Sequence, residues 1–322
     1  MNRDALVISL GLVLAFLPLA AGTYWTELLT QAFIFGGFAM GLDILVGFTG
    51  LPSLGHAAFF GLGGYAAALS ITRWGIDPWA AAGIGIGLST AVALAFAPLA
   101  VRLRGLTFLT MTLAFGQVVW GLTIRWTSFT GGENGIPGVI RPSLAVLDVD
   151  LNASGGYYWF TLFWVVLLTF LVRRFADSPM GLGLLAVRES PMRTAALGYN
   201  VHARRTIAFV IAASVGAVYG VLSAYFNKFV GPSSLDWRLS AQMMLSVIIG
   251  GAGSLWGPFF AGAGLHVLKT LLVGETQSWI MVLGCLYIVT AVVLPEGLAS
   301  LPRTVHYFYR SRLSGRKLKP RC

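Results

Sequence analysis

A chain of 322 residues that is 57% hydrophobic and 11% charged, with a mean hydropathy of +0.78, is a polytopic membrane protein and not a soluble globular domain. Its net charge of +10 does not point to nucleic acid, because basic residues collect beside membrane spans under the positive-inside rule. Two cysteines, Cys285 and Cys322, provide neither a disulfide framework nor a metal cluster.

The first apolar run, Ala5 to Ala21, follows Arg3 and has two readings, a cleaved signal peptide or a retained helix. The retained helix is expected, because the run is long enough to span and Asp4 weakens the positive region before it. Beyond it, a window near the ~20 residues that cross a bilayer finds apolar segments at 28–48, 54–72, 78–101, 106–126, 157–172, 206–226, 239–256, 258–273 and 278–295. The expected fold is all-α with about ten transmembrane helices. Glycines 61, 63 and 64, and Gly250, Gly251, Gly253 and Gly257-Pro258, mark 54–72 and 239–273 as candidates for broken or re-entrant helices, which would reduce the count to eight or nine. Threading ten spans with both termini inside puts 16 of the 22 basic residues on the cytoplasmic side, including the tail 303–322. That tail is expected to lie against anionic headgroups. Residues 1–302 then form one transmembrane domain and 303–322 a basic tail.

The segments GFTGLPSLGHAAFFGLGG (47–64) and IGGAGSLWGPFFAGAG (249–264) resemble each other. Both enter from one side in this threading, which fits a parallel repeat or the ordinary recurrence of small residues at helix contacts.

Polar residues within spans are few. Asp43 reads as a local cap near the turn at Gly47 to Ser53 or as a proton relay, and His56 as a packed histidine or as a ligand. Thr107, Thr110, Thr112 and Gln117 share the fifth segment, with 107 and 110 on one face; they line a polar pathway or bond their own backbone. Outside, Glu133 and Asn134 sit in the glycine-rich stretch 131–135, a tight turn or a contact surface. Between the sixth and seventh segments lies a polar island, 173–205, with six arginines against Asp177 and Glu189. Such a loop is cytoplasmic under the positive-inside rule, and a short helix in it offers a grip to a soluble partner.

No Walker sequence, HExxH, CxxC or GxSxG occurs, so no catalytic, cofactor or metal site is expected. The spans after residue 157 hold no acid, which leaves no basis for internal ion coupling. Energy then comes from elsewhere, or transport is passive.

The segments GLDILVGFTGLPSLGHAAFFGLGGYAAAL (41–69), LRGLTFLTMTLAFGQVVW (103–120), TGGENGI (130–136) and DSPMGLGLLAVRESPMRTAALGYNVHARRTIAFVIAA (177–213) resemble the M-type membrane permease of branched-chain amino acid ABC importers. The resemblance runs over roughly 30 to 297 in the right order. It implies a bacterial inner-membrane permease that pairs with a second, homologous permease, two cytoplasmic ATPase subunits and a periplasmic binding protein, and that hydrolyses no ATP itself. It also implies that the island resembles the EAA-type coupling loop, with the match on Arg188, Glu189, Ala195, Ala196 and Gly198. A helix start at Ser190-Pro191 and an end at Gly198 suit that loop. Met192 and Arg193 depart from the usual acidic and apolar pair. Pathway residues would come from Asp43, His56, Thr107, Thr110 and Gln117, and contact with the binding protein from Glu133 and Asn134. Relatives in the family serve urea and short amides as well as branched-chain amino acids. The alternative from another class is a self-contained channel or facilitator, with a membrane-embedded enzyme a distant third.

Overall fold

The computed structural model describes residues 22–143 and 151–275, together with 281, 282, 284 and 285. The expected first span, most of the last one and the basic tail lie outside the described residues. Eleven helices occur within them: α1 (Thr23–Thr49), α2 (His56–Trp74), α3 (Pro78–Ala100), α4 (Gly105–Arg125), α5 (Thr127–Thr130), α6 (Ser154–Ala176), α7 (Pro179–Glu189), α8 (Pro191–Ala196), α9 (Val201–Asn227), α10 (Trp237–Gly250) and α11 (Trp256–Glu275). Six of them, α1, α3, α4, α6, α9 and α11, are long and apolar enough to cross a membrane. The chain is a mostly helical, multi-pass membrane protein.

Helix boundaries follow local chemistry. Asp77 accepts from the Trp79 amide with Pro78 in the first turn, starting α3. Asn200 accepts from the Ala203 amide at the start of α9, and Gly50 and Gly75 close α1 and α2 in the left-handed region.

The centre of the bundle is α2, buried from His56 to Ile71 apart from the half-buried Leu62. It packs between α3 and α9, and Phe35 and Phe38 of α1 meet the rings of His56 and Phe60. Small residues make this packing possible: a Cβ at Gly220 on α9 would stand 1.8 Å from the Phe60 carbonyl oxygen, and one at Gly63 would stand 2.7 Å from that of Ala217. A helix that meets only protein does not need the apolar character of one facing lipid, which accounts for the polar and glycine-rich sequence of α2.

Contacts along α9 give the relative directions. Gly37 and Gly41 of α1 meet Tyr219 and Val215, so α1 runs antiparallel to α9. Phe60 and Gly63 of α2 meet Gly220 and Ala217. The α2 start lies beside Phe209 and Gly216, roughly 15–20 Å along α9 at 1.5 Å per residue. Residues 51–55 therefore carry the chain from the end of α1 back to the middle of the bundle without helical structure.

A second interior start faces this one. From the end of α9 the chain passes Gly64 at Val230 and Gly61 at Leu235, then starts α10, where the Ser240 hydroxyl accepts from the Ala57 amide at 2.7 Å. With 14 residues, α10 is about 21 Å long, too short for ~30 Å of hydrocarbon. The expected span 239–256 is thus a short helix entering from mid-bundle. Its partner α11 packs antiparallel on α1, where His266 Nε2 lies 3.0 Å from Gln31 Oε1.

At the end of the bundle remote from α7 and α8, Ile136 and Pro137 pair antiparallel with Val230 and Phe229 as strands β1 (Ile136–Pro137) and β2 (Phe229–Val230). Arg141 gathers this region: its guanidinium donates to the carbonyls of Tyr225, Phe226 and Leu151 at 2.7–2.9 Å and stacks over Tyr157. The first two are last-turn carbonyls of α9, where a cation suits both the unpaired acceptors and the helix dipole.

Candidate functional site

At the end that carries α7 and α8, three long-range polar contacts meet in one junction. Asp43, in the last two turns of α1, is fully buried. Its carboxylate accepts from the Gly253 amide at 2.7 Å and the Leu255 amide at 3.0 Å. Those amides belong to the turn between α10 and α11, where Gly253 and Leu255 have positive φ. The carboxylate therefore caps a distant turn. Gly47 permits the approach, since a Cβ there would stand 2.2 Å from the Gly253 nitrogen. The two glycine-rich turns that resemble each other in sequence thus pack face to face, and Gly47 and Gly253 supply the contact.

Arg188 completes the junction. It lies in the last turn of α7, and its guanidinium donates to the Gly47 carbonyl. From Arg188 the chain reaches α8 within three residues. Ser190 caps α8 by accepting from the Arg193 amide, Pro191 occupies the first turn, and Gly198 leaves it at φ +86°, as the Ser-Pro start and glycine end led us to expect. Thr194 is the buried residue of α8. Met192 and Leu197 are 81% and 77% exposed, with Ala195, Ala196 and Gly198 also exposed. Glu189 is exposed on the last turn of α7.

The structure separates the other candidates. His56 is enclosed by the rings of Phe38, Phe59 and Phe209, inside the core and not on an open face. Thr112 also points inward, accepting from the Leu54 amide at 3.2 Å and so fixing the non-helical stretch before α2. Thr107 and Thr110 are exposed and Gln117 half-exposed on the other side of α4. With Ala114 and Gly121 they make a small and polar stripe at helical spacing. In a bilayer such a stripe is better matched to a polar pathway or a packed partner than to lipid tails. Glu133 and Asn134 are exposed on a single 3-10 turn, Gly132–Asn134, at the Arg141 end. No group of three or more His, Cys, Asp or Glu suited to a metal ion occurs among the described residues.

Sequence reasoning missed the roles of Arg141, Ser240 and the second turn of the junction. Asp43 carried a usable signal, a lone acid in an apolar run, but its partners are backbone amides 210 and 212 residues away.

Comparison with known proteins yields one family. The model of the branched-chain amino acid transport system / permease component family matches residues 24–293. The chain is 29% identical to the high-affinity branched-chain amino acid transport system permease protein LivM of Escherichia coli K12, over 88% of this chain and 71% of that protein. It is 28% identical to LivM of Salmonella typhimurium, over 86% and 70%, and 24% identical to the corresponding permease LivH of E. coli K12, over 82% and 90%. No solved structure matches.

Proposed function

Because this chain belongs to the branched-chain amino acid transport system / permease component family, a family of ABC importer permeases, we propose how its two ends divide the work of transport. The end bearing α7 and α8 is cytoplasmic and receives the motion of two ATPase subunits. The end bearing Arg141, Glu133 and Asn134 faces a periplasmic binding protein. A second, homologous permease packs beside this one in the bacterial inner membrane, and the small, polar face of α4 at Thr107, Thr110 and Gln117 lines the shared pathway. The cargo is a branched-chain amino acid or a related small polar solute, urea and short amides among them.

The observation that carries this reading is the junction Arg188–Gly47 and Asp43–Gly253. It joins the exposed surface of α8 to α1, to the turn before α11, and so to the interior helix starts of α2 and α10. A soluble partner that grips Met192, Ala195, Ala196 and Leu197 and moves on ATP binding shifts α7, and Arg188 passes that shift to α1 and the α10–α11 turn. Coupling of this kind requires contacts that differ between the two transport states. The distribution of charge supports the orientation, since Arg102, Arg104 and the island arginines share the α8 end while Arg73, Arg125, Arg141 and Lys228 lie singly at the other. The facing glycine-rich turns support a parallel repeat.

Reconstitution tests the reading. Proteoliposomes with the full set of subunits are expected to take up labelled leucine, urea or an amide only with ATP and the binding protein. Uptake at the same rate by this chain alone, without ATP, would establish a self-contained facilitator instead.

A further inference from the structure

Among the described residues, four arginines reach backbone carbonyls and a buried fifth does not. Arg73 donates to Ser128, Arg141 to the end of α9, Arg188 to Gly47 and Arg204 to Met180. Arg205, in the first turns of α9, is only 6% exposed, yet its Nε has no hydrogen-bond partner and no described acid pairs with it. A buried guanidinium nitrogen with no acceptor is costly, and the rest of the group is open to an anion.

The surroundings supply the rest of an anion site. Phe209, one turn deeper on α9, meets Phe108 of α4 edge to face, with centroids 6.3 Å apart. One turn back along each helix therefore brings Arg205 beside Arg104, the residue that precedes α4 and whose charge acts on Arg205. Arg104 is exposed and has no ion-pair partner among the described residues. Helix α4 has 21 residues, no acid in its first turn and no capping side chain, so its first amides are open donors at the positive end of the dipole. Gly105, Leu106 and Thr107 are exposed there. Leu99 and Leu106, the latter 80% exposed, flank the α3–α4 turn with apolar surface.

We propose that Arg205, Arg104 and the first turn of α4 form a binding site for the phosphate group of an anionic phospholipid. The two guanidiniums take the phosphate oxygens in a charge-assisted contact. The open amides of α4 complete the shell, and the acyl chains follow Leu99 and Leu106 into the bilayer. Two cations and a helix N-terminus favour a headgroup with net negative charge over a zwitterionic one. The site lies where the end of α3 and the starts of α4 and α9 meet.

The test is native mass spectrometry of the full chain purified in detergent and titrated separately with phosphatidylglycerol, phosphatidylcholine and inorganic phosphate. Phosphatidylglycerol is expected to be retained preferentially, and Arg104→Gln or Arg205→Gln each to lower its retention by about fivefold, while Arg104→Lys keeps most of it. Arg104 is exposed, so its substitution reads the site even if Arg205→Gln fails to fold. Equal retention of the two lipids, or unchanged phosphatidylglycerol retention in Arg104→Gln, overturns the proposal. Displacement of bound phosphatidylglycerol by millimolar inorganic phosphate assigns the site to a free anion and overturns its lipid assignment.

Discussion

Asp43 holds Gly253: a carboxylate near the end of α1 accepts at 2.7 Å from an amide in the turn that leads into α11. The carboxylate is withdrawn from water, and its second oxygen is used in the same way by the buried Leu255 amide. Removing the carboxylate strands the buried Leu255 amide and the part-buried Gly253 amide, at ~1–3 kcal/mol for the buried one where no water replaces the acceptor. Asp43→Ala is therefore expected to lower the thermal midpoint of the purified chain and to reduce ATP-driven uptake severely. Asp43→Asn, which retains one acceptor, is expected to fall between. Thermal unfolding followed alongside uptake checks both; an unchanged midpoint in Asp43→Ala would show that the turn stands without this contact.

Arg188 is expected to matter more for transport than for folding. Its guanidinium reaches a single backbone carbonyl while the rest of the residue is exposed, so Arg188→Ala is expected to cost ~1–2 kcal/mol of stability at most. Uptake per assembled complex is expected to drop several-fold while membrane insertion persists. Parallel measurement of assembled complex and uptake separates the two effects.

Gly220 admits no side chain. A Cβ there would overlap the Phe60 carbonyl at 1.8 Å, and overpacking of this kind typically costs ~1–3 kcal/mol or more. Gly220→Val is expected to give little folded protein, whereas Gly87→Val, at a position with open space around it, is expected to be tolerated. Folded yield by size-exclusion chromatography discriminates between them.

At the opposite end, Arg141→Ala removes the cation that caps α9 and ties residues 151 and 152 to it. The loop bearing Glu133 and Asn134 is then expected to lose its fixed position. Stimulation of ATPase activity by the binding protein is expected to weaken, with basal activity retained. Equal stimulation in Arg141→Ala and the parent would remove this loop from the docking surface.

Much of the fold was legible because membrane spans advertise themselves by length and apolarity. The segments expected at 78–101 and 106–126 are α3 and α4 within a residue at each end, and Ser190-Pro191 and Gly198 bracket α8. The depth of α2 and α10 was not legible. Gly61, Gly63 and Gly64 and the glycines of 250–257 marked both segments as candidates for broken helices, but how deep each begins depends on Thr112 and Ser240 receiving the amides of Leu54 and Ala57. The span count suffers for the same reason, since α10 lies in a mainly apolar run yet, at 14 residues, is too short to cross. At the candidate site, the cap geometry of α8 is local and could be read directly. The Asp43–Gly253 and Arg188–Gly47 contacts join residues more than a hundred positions apart, and no periodicity encodes them.

The proposed role of the exposed surface of α8 is to be the grip through which ATPase motion enters the chain. It is tested most directly by placing tryptophan at Ala195 together with arginine at Glu189 and measuring, in one preparation, ATPase co-purification and ATP-driven uptake. The variant is expected to insert normally, retain little ATPase and transport at a small fraction of the parental rate. Parental co-purification with parental uptake would contradict it.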